Sequence, residues 1–316
     1  MSENKCNLDF KTSIGGQALM EGILMRGPDK QSIVCRTADG LVEKCESFTP
    51  LKEKYKLASV PFLRGVIALA VSMSSGMKAL AYSAELIPMD EEEEPSKFEV
   101  WLEDKLGNKK MEKLTIAFSM VLGLFLAILL FTMAPTFLAG LFPFVKANLM
   151  LRSAVEGVFK LIIFFAYLWL ITNIKDVRRL FAYHGAEHKT IFCYEKSLPL
   201  TAENVKKQSR FHPRCGTSFL LVAVILGIII GFFIRADNVF IRVLLRIALL
   251  PLLVGIAFEL NKWVGKHDDN KLAAVLAAPG KWVQRLTTKE PDEEMIECAI
   301  RALELVIPEE KGADSW

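Results

Sequence analysis

Residues 114–145 read LTIAFSMVLGLFLAILLFTMAPTFLAGLFPFV, a run of 32 residues without a charge. A helix needs roughly 20 apolar residues to cross the hydrocarbon of a bilayer. This run is long enough, and Pro135 and Pro143 are placed to break off its outer end. Three further apolar runs follow. Residues 155–174 carry Glu156 and Lys160 near their outer end, and residues 215–234 are uncharged. Residues 241–260 hold Arg242 and Arg246 in their first turns, where the side chains are expected to snorkel outward. Overall, 52% of the 316 residues are hydrophobic and the mean hydropathy is +0.31, too apolar for an ordinary soluble domain. The expectation is an α-helical membrane protein with about four transmembrane helices.

Loop charge sets the expected orientation. Residues 175–214 hold nine Lys and Arg, whereas the connection 135–154 holds two. The positive-inside rule makes the first of these cytoplasmic. An even number of spans then puts both termini inside as well. Lys105, Lys109, Lys110 and Lys113 before the first span agree, as do Lys262, Lys266 and Lys271 after the fourth. The opening MSENKCNLDFKTS lacks the apolar core of a signal peptide. Six scattered cysteines have no framework spacing and read as reduced thiols, Cys35 and Cys45 included.

The flanking segments divide the chain further. Residues 1–59 read as a Gly-rich β unit at the cytoplasmic face. Gly15-Gly16, Gly22, Gly27-Pro28-Asp29 and Asp39-Gly40 punctuate its short runs. Residues 60–112 read as an amphipathic or partly inserted helix over 60–87, then the acidic run Asp90–Glu94 and a polar helix near 96–110. The four-span bundle takes 113–262, interrupted by the cytoplasmic loop 175–216. The tail 263–316 carries PDEEMIECAIRALELVI, an amphipathic helix with Pro291 at its front and acids in its first turn.

Three of the four histidines fall between residues 184 and 212. His184 and His188 are four apart and share a helix face, with Glu187 beside them. This is the H-x-x-E-H spacing of inverted zinc hydrolases. His212 and Cys215 lie just before the third apolar run. Imidazole nitrogens and a thiolate suit a divalent ion, zinc above all. If the second and third spans pair antiparallel, both motifs reach one membrane face and can share an ion. Glu187 is the candidate general base. Glu259, at the inner end of the fourth span, is a possible further ligand or base. Glu21 and Arg26, charges set among apolar residues in IGGQALMEGILMRGP, are possible site-lining residues. That segment lacks the Lys and hydroxyl of a phosphate-binding loop. His267 has no ligand partner by spacing.

GGQALMEGILMRGP, PFLRGV, YHGAEHKTIFCYE, FHPRCGTSF and PGKWVQRLTTKEPDEEMIECAI, in this order, make the chain resemble the YqhQ-like family. These are bacterial multi-spanning membrane proteins without an established function, held on their motifs to be metal-dependent enzymes. The resemblance covers residues 12 to 307. It implies a bacterial cytoplasmic membrane protein in which His184, Glu187, His188, His212 and Cys215 belong together.

The function expected is a metal-dependent hydrolase acting on a membrane-associated substrate. The alternative is a scaffold or accessory factor with a structural metal or polar site. A transporter is disfavoured, because the spans hold few charges and no repeated halves. Expected partners are membrane lipids and a membrane protein reached through the N-terminal unit or the C-terminal helix. A net charge of +3 argues for no nucleic acid.

The nine-to-two asymmetry in basic residues makes the orientation testable. Single cysteines at positions 148 and 200 should react oppositely with an impermeant thiol reagent applied to intact cells. Labelling of position 200 from outside reverses the orientation.

Overall fold

The computed structural model describes residues 10–87, 108–145, 148–267, 270–310 and 312–315. The chain is mostly helical with one small antiparallel sheet. It divides into two compact units. One comprises Met1–Leu86, Ala166–Gly227 and Leu250–Trp316, and the other Ile87–Phe165 and Ile228–Leu249.

The first unit opens with a four-stranded meander: β1 Gly15–Leu19, β2 Gly22–Arg26, β3 Lys30–Thr37 and β4 Gly40–Ser47. Gly40, at φ 121°, closes the tight β3–β4 turn in a conformation that favours glycine. Successive side chains alternate between two faces, as the pleat demands. Ala18, Ile23, Met25 and Val34 enter one core, whereas Leu19, Leu24, Ile33 and Cys35 enter another. The expected β unit is therefore a sheet whose central strands β2 and β3 bury side chains on both faces, with β4 largely exposed. Cys45 lies opposite Ser32 and Cys35 opposite Val42, and both cysteines are free thiols.

Two helices follow the sheet, and the second covers it. Helix α1 (Leu51–Lys54) is a single turn, and α2 (Leu63–Leu86) lays Ala79, Leu80, Tyr82 and Leu86 on the second face. Helices α3 (Asn108–Ile128) and α4 (Ala134–Gly140), then α5 (Leu149–Ile171), follow. The polar helix α6 (Lys175–Glu195) carries the histidine motif; then come α7 (Ala202–Lys206), α8 (Gly216–Gly231), α9 (Val239–Lys266) and α10 (Lys271–Thr287). The C-terminal α11 (Glu293–Glu304) is strongly amphipathic. Its Met295, Cys298, Ala299, Ala302 and Leu303 fill the first sheet face together with Tyr183 and Ala186 of α6. The apolar face of this amphipathic helix is thus covered by the chain's own sheet.

Four helices are long and apolar enough to cross a membrane: Leu63–Leu86, Leu114–Gly140, Leu149–Ile171 and Val239–Lys266. The set differs from the sequence expectation in one member. Helix α2 qualifies on length, whereas Gly216–Gly231 is shorter, because the apolar run 215–234 leaves the helix at both ends. Pro135 does not end the second of them. A π turn at Leu129–Met133 precedes it, and the helix continues to Gly140. Such a turn accommodates the missing N–H of proline. The acidic run Asp90–Glu94 and most of the polar helix near 96–110 lie outside the described residues.

The second unit corrects the reading of Arg242 and Arg246. Neither snorkels to water; Arg242 is buried, Arg246 is half-buried, and both bond to Glu156. A carboxylate one helix away outcompetes the membrane surface for these guanidinium groups.

The start of α11 depends on Asp292, whose side chain accepts the Met295 N–H at 2.8 Å. Asp292→Ala should cost about 0.5–2 kcal/mol, seen as a lower melting temperature in detergent. Asp292→Asn should retain most of the wild-type stability.

Candidate functional site

The site is built on α6, a helix whose residues from Phe181 onward are largely buried although many are polar. His184 and His188, one turn apart, bring their rings to 4.4 Å between centroids. His184 Nδ1 lies 2.9 Å from the Thr287 carbonyl oxygen, and His188 Nδ1 lies 2.6 Å from that of Arg210. A carbonyl can only accept, so each Nδ1 carries the proton and donates it. Each Nε2 is thereby left to face inward. This tautomer, fixed by a carbonyl behind the ring, is the usual support of a metal-binding histidine.

Cys215 completes the group. Its Sγ lies 3.3 Å from His184 Nε2. One donor atom from each of His184, His188 and Cys215 falls within 4.8 Å of the other two. The cysteine immediately precedes α8, where Sγ accepts the Thr217 N–H at 3.4 Å and lies 3.1 Å from Thr217 Oγ1. A helix N-terminus favours a thiolate. Burial alone would push the Cys215 thiol up, but the charges of His188 and His184 outweigh it and hold the thiol well below its ordinary value. Burial likewise opposes a charged His184, yet the neighbouring Cys215 sulfur and Glu187 push the imidazole up to about 9. The cluster draws positive charge to the point where its donor atoms converge.

Glu187 stands beside it without joining the three donors. Its Oε1 accepts the Gly16 N–H at 2.9 Å, and Oε2 lies 3.8 Å from His184 Nε2. Gly16 is required here by close approach. A Cβ at this position would meet the Leu24 carbonyl oxygen at 2.8 Å and Glu187 Cγ at 3.0 Å. The glycine-rich segment, from which the sequence offers Glu21 and Arg26 as possible site-lining residues, contributes a backbone donor through Gly16.

His212 lines the same cavity but is turned elsewhere. Its Nε2 faces Glu195 Oε2 at 3.7 Å and the Arg214 guanidinium at 3.3 Å, and its backbone N–H bonds to Gln284. Burial lowers its pKa despite Glu195. Glu195 accepts from Arg214 and from the Thr12 N–H. Burial would raise its carboxyl, but His212 and Arg214 hold it below the ordinary carboxylate value. Glu195 and Arg214 were missed in the sequence, although both lie within the quoted motif segments. Glu259 is not at the centre; it forms an ion pair with Arg64. Glu21 pairs with Arg179 and the Tyr183 hydroxyl, and Arg26 bonds to Ser75, so these two charges do not pair with each other. His267 bonds to the Trp263 carbonyl at the end of α9.

Three cavities meet at this place. A small one of about 110 Å³ is lined by His184, Glu187, His188 and Cys215. A second, of about 750 Å³, shares Gly15 and Gly16 with it and is lined by Arg26. A third, of about 620 Å³ and mostly apolar, shares Gly216 with the first and is walled by Leu69, Met73, Met77, Leu220 and Phe258.

The chain is similar to known proteins over most of its length. A family model described as "Protein of unknown function (DUF1385)" matches residues 60–309. The uncharacterized protein YqhQ of Bacillus subtilis (strain 168) is 36% identical over 291 residues, covering 91% of this chain and 90% of that protein. No solved structure matches.

The tight packing at Gly16 separates two adjacent glycines. Gly15 has nothing within 4 Å of where a Cβ would stand. Gly16→Ala should cost roughly 1–3 kcal/mol, as overpacking does, and Gly15→Ala less than about 0.5 kcal/mol. Thermal unfolding of the two variants side by side measures the difference.

Proposed function

We propose that this chain, which belongs to the DUF1385 family of proteins of unknown function, is a membrane-embedded, metal-dependent hydrolase with its site at the cytoplasmic surface. The observation that carries the metal reading is the pair of imidazoles locked through Nδ1 to carbonyls, with His184 Nε2 3.3 Å from the Cys215 Sγ and one donor atom of each of the three residues within 4.8 Å of the others. Two histidines and a cysteine fit zinc best. Three protein donors leave one coordination position for water or substrate, the pattern of catalytic rather than structural sites. When bound, such an ion acts as a Lewis acid and makes water acidic enough to serve as a nucleophile near neutral pH. Glu187, held by the Gly16 N–H at one oxygen, keeps its other oxygen free to take a proton and return it to the leaving group. The apolar cavity that meets the centre at Gly216 suits the chain of a membrane-associated substrate.

Contacts within the first unit support the membrane topology. Its sheet, α6 and α11 pack together and so must share one side of the bilayer. The chain then crosses an even number of times between the sheet and α6, and again between α6 and α11. In the second interval α8 and α9 cross as a pair. In the first, three candidates supply two crossings. Helix α2 is the one that stays on the near side. Its C-terminal half lies on the sheet, and its start is tied through Arg64 to Glu259, near the end of α9. That agrees with a partly inserted helix. Phe118, Val121, Leu124 and Phe125 of α3 are exposed, as lipid contact requires.

The second reading is a scaffold in which the same residues pin the sheet to α6. It is favoured by the Glu187–Gly16 bond, which joins those two elements. One variant separates the readings. Glu187→Gln should retain about one zinc per chain yet fail to complement a deletion phenotype, because an amide cannot act as a base. His188→Ala should lose the metal, whereas His212→Ala should keep it, since that ring faces Glu195. Metal analysis of detergent-purified protein and complementation give the two readouts. A metal-replete Glu187→Gln protein that complements fully overturns the hydrolase and leaves the scaffold.

A further inference from the structure

The second unit holds a group of charges that the proposed chemistry does not use. Arg152, Glu156 and Lys160 follow one another at four-residue spacing on α5, and Arg242 and Arg246 do so on α9. All five belong to helices apolar enough to cross a membrane, and Arg152, Glu156, Lys160 and Arg242 are buried. Arg242 Nε donates to Glu156 Oε2 at 3.1 Å, and Arg246 donates to the same oxygen. Arg152 Nε lies 3.4 Å from Glu156 Oε1. Lys160 is buried one turn beyond Glu156 on the same face of α5. Among the described residues, no other carboxylate pairs with any of the three arginines.

Among the described residues, four cations therefore share one anion, a surplus of three positive charges. A single carboxylate can neutralise one guanidinium, and an uncompensated charge in a low-dielectric interior is strongly unfavourable. Hydroxyls and carbonyls satisfy part of the hydrogen bonding without supplying charge. Arg242 reaches Ser153 Oγ and the carbonyls of Ile234 and Ala236, Arg246 reaches Thr136 Oγ1, and Arg152 reaches the Asp237 carbonyl. The Nε atoms of Arg152 and Arg246 and Oε1 of Glu156 remain buried without a hydrogen-bond partner. An arrangement with surplus positive charge and undischarged donors is complete only with an anion.

We infer that this cluster is a binding site for a phosphate group. Phosphate carries about −1.5 to −2 charges as a monoester, closer to the surplus than one carboxylate. Its oxygens accept from several guanidinium groups at once, which is why arginine is favoured for recognising it. The phosphate can belong to a membrane lipid or to a soluble ion, and the protein's chemistry toward either is the same.

The test uses the full chain purified in a non-ionic detergent. Thermal unfolding is followed with inorganic phosphate against chloride at equal ionic strength, and with short-chain phosphatidic acid against diacylglycerol of the same chain length. Stabilisation by phosphatidic acid alone identifies a lipid phosphate. Stabilisation by both phosphate forms identifies a site open to the free ion. Lys160→Gln should weaken binding roughly tenfold or more, the usual worth of a charged hydrogen-bond donor, and Lys160→Arg should retain it. Neither variant touches the arginine bonds to Glu156. Native mass spectrometry of the wild type gives a readout independent of any variant, since a tightly held phospholipid should travel with the protein. No stabilisation by either phosphate form together with no phosphorus-containing adduct overturns the inference. So does equal stabilisation of the wild type and a folded Lys160→Gln protein.

Discussion

Helix α6 buries Glu187, His188, Lys189, Thr190 and Glu195, with His184 half-buried beside them, on one short stretch, and each of these groups needs a partner away from water. The first unit is arranged to provide them. The sheet supplies the Gly16 N–H to Glu187, and the strand leading into it supplies the Thr12 N–H to Glu195. The loop before α8 gives the Arg210 carbonyl to His188 and Arg214 to Glu195. The end of α10 gives the Thr287 carbonyl to His184. Lys189 bonds to the Lys206 carbonyl and pairs with Glu290. Segments far apart in the sequence are joined because a polar helix cannot be buried cheaply by apolar packing alone.

Patterns with a fixed period were legible in the sequence. Turn residues punctuating short runs such as SIVCRT pointed to the sheet, and the spaced apolar residues after Pro291 to α11. Two histidines four apart gave a shared helix face. Lone residues depend on long-range neighbours and were not legible. Nothing near Gly16 in the chain reveals that its N–H meets Glu187, 171 positions away. His212 was joined to the ligands because it precedes Cys215 by three residues, but no helix runs through that segment to put them on one face. Glu259 was placed by depth along a helix, and depth does not specify a partner; Arg64 was the one in reach.

The apolar runs show the same limit in another form. Charge-free length identifies a helix that tolerates lipid, but it cannot tell a crossing helix from one that rests on a sheet. Helix α2 satisfies the length test and still spends its C-terminal half covering Leu19, Leu24 and Ile33. The arginines of α9 mislead in the opposite direction. Charges near a helix end suggest exposure, yet a single buried glutamate holds both of them inside the second unit. Charge within an apolar helix says that a partner exists, not where the side chain goes.

The position of Glu187 bears on whether the centre does chemistry. A fourth ligand would close the coordination shell, and nothing in a purely structural site requires a cavity beside it. Here the carboxylate is drawn aside by the Gly16 N–H, and a cavity of about 110 Å³ opens next to the three convergent donors. A larger apolar cavity shares one lining residue, Gly216, with this space. Folding the sheet onto α6 thus has two consequences at once. It satisfies a buried carboxylate, and it keeps that carboxylate near the donors without completing their shell. A backbone amide is suited to this task, because it is fixed by the register of β1 and cannot itself bind a cation. That constraint, more than the histidine spacing, is what makes a reactive centre the better reading of the cluster.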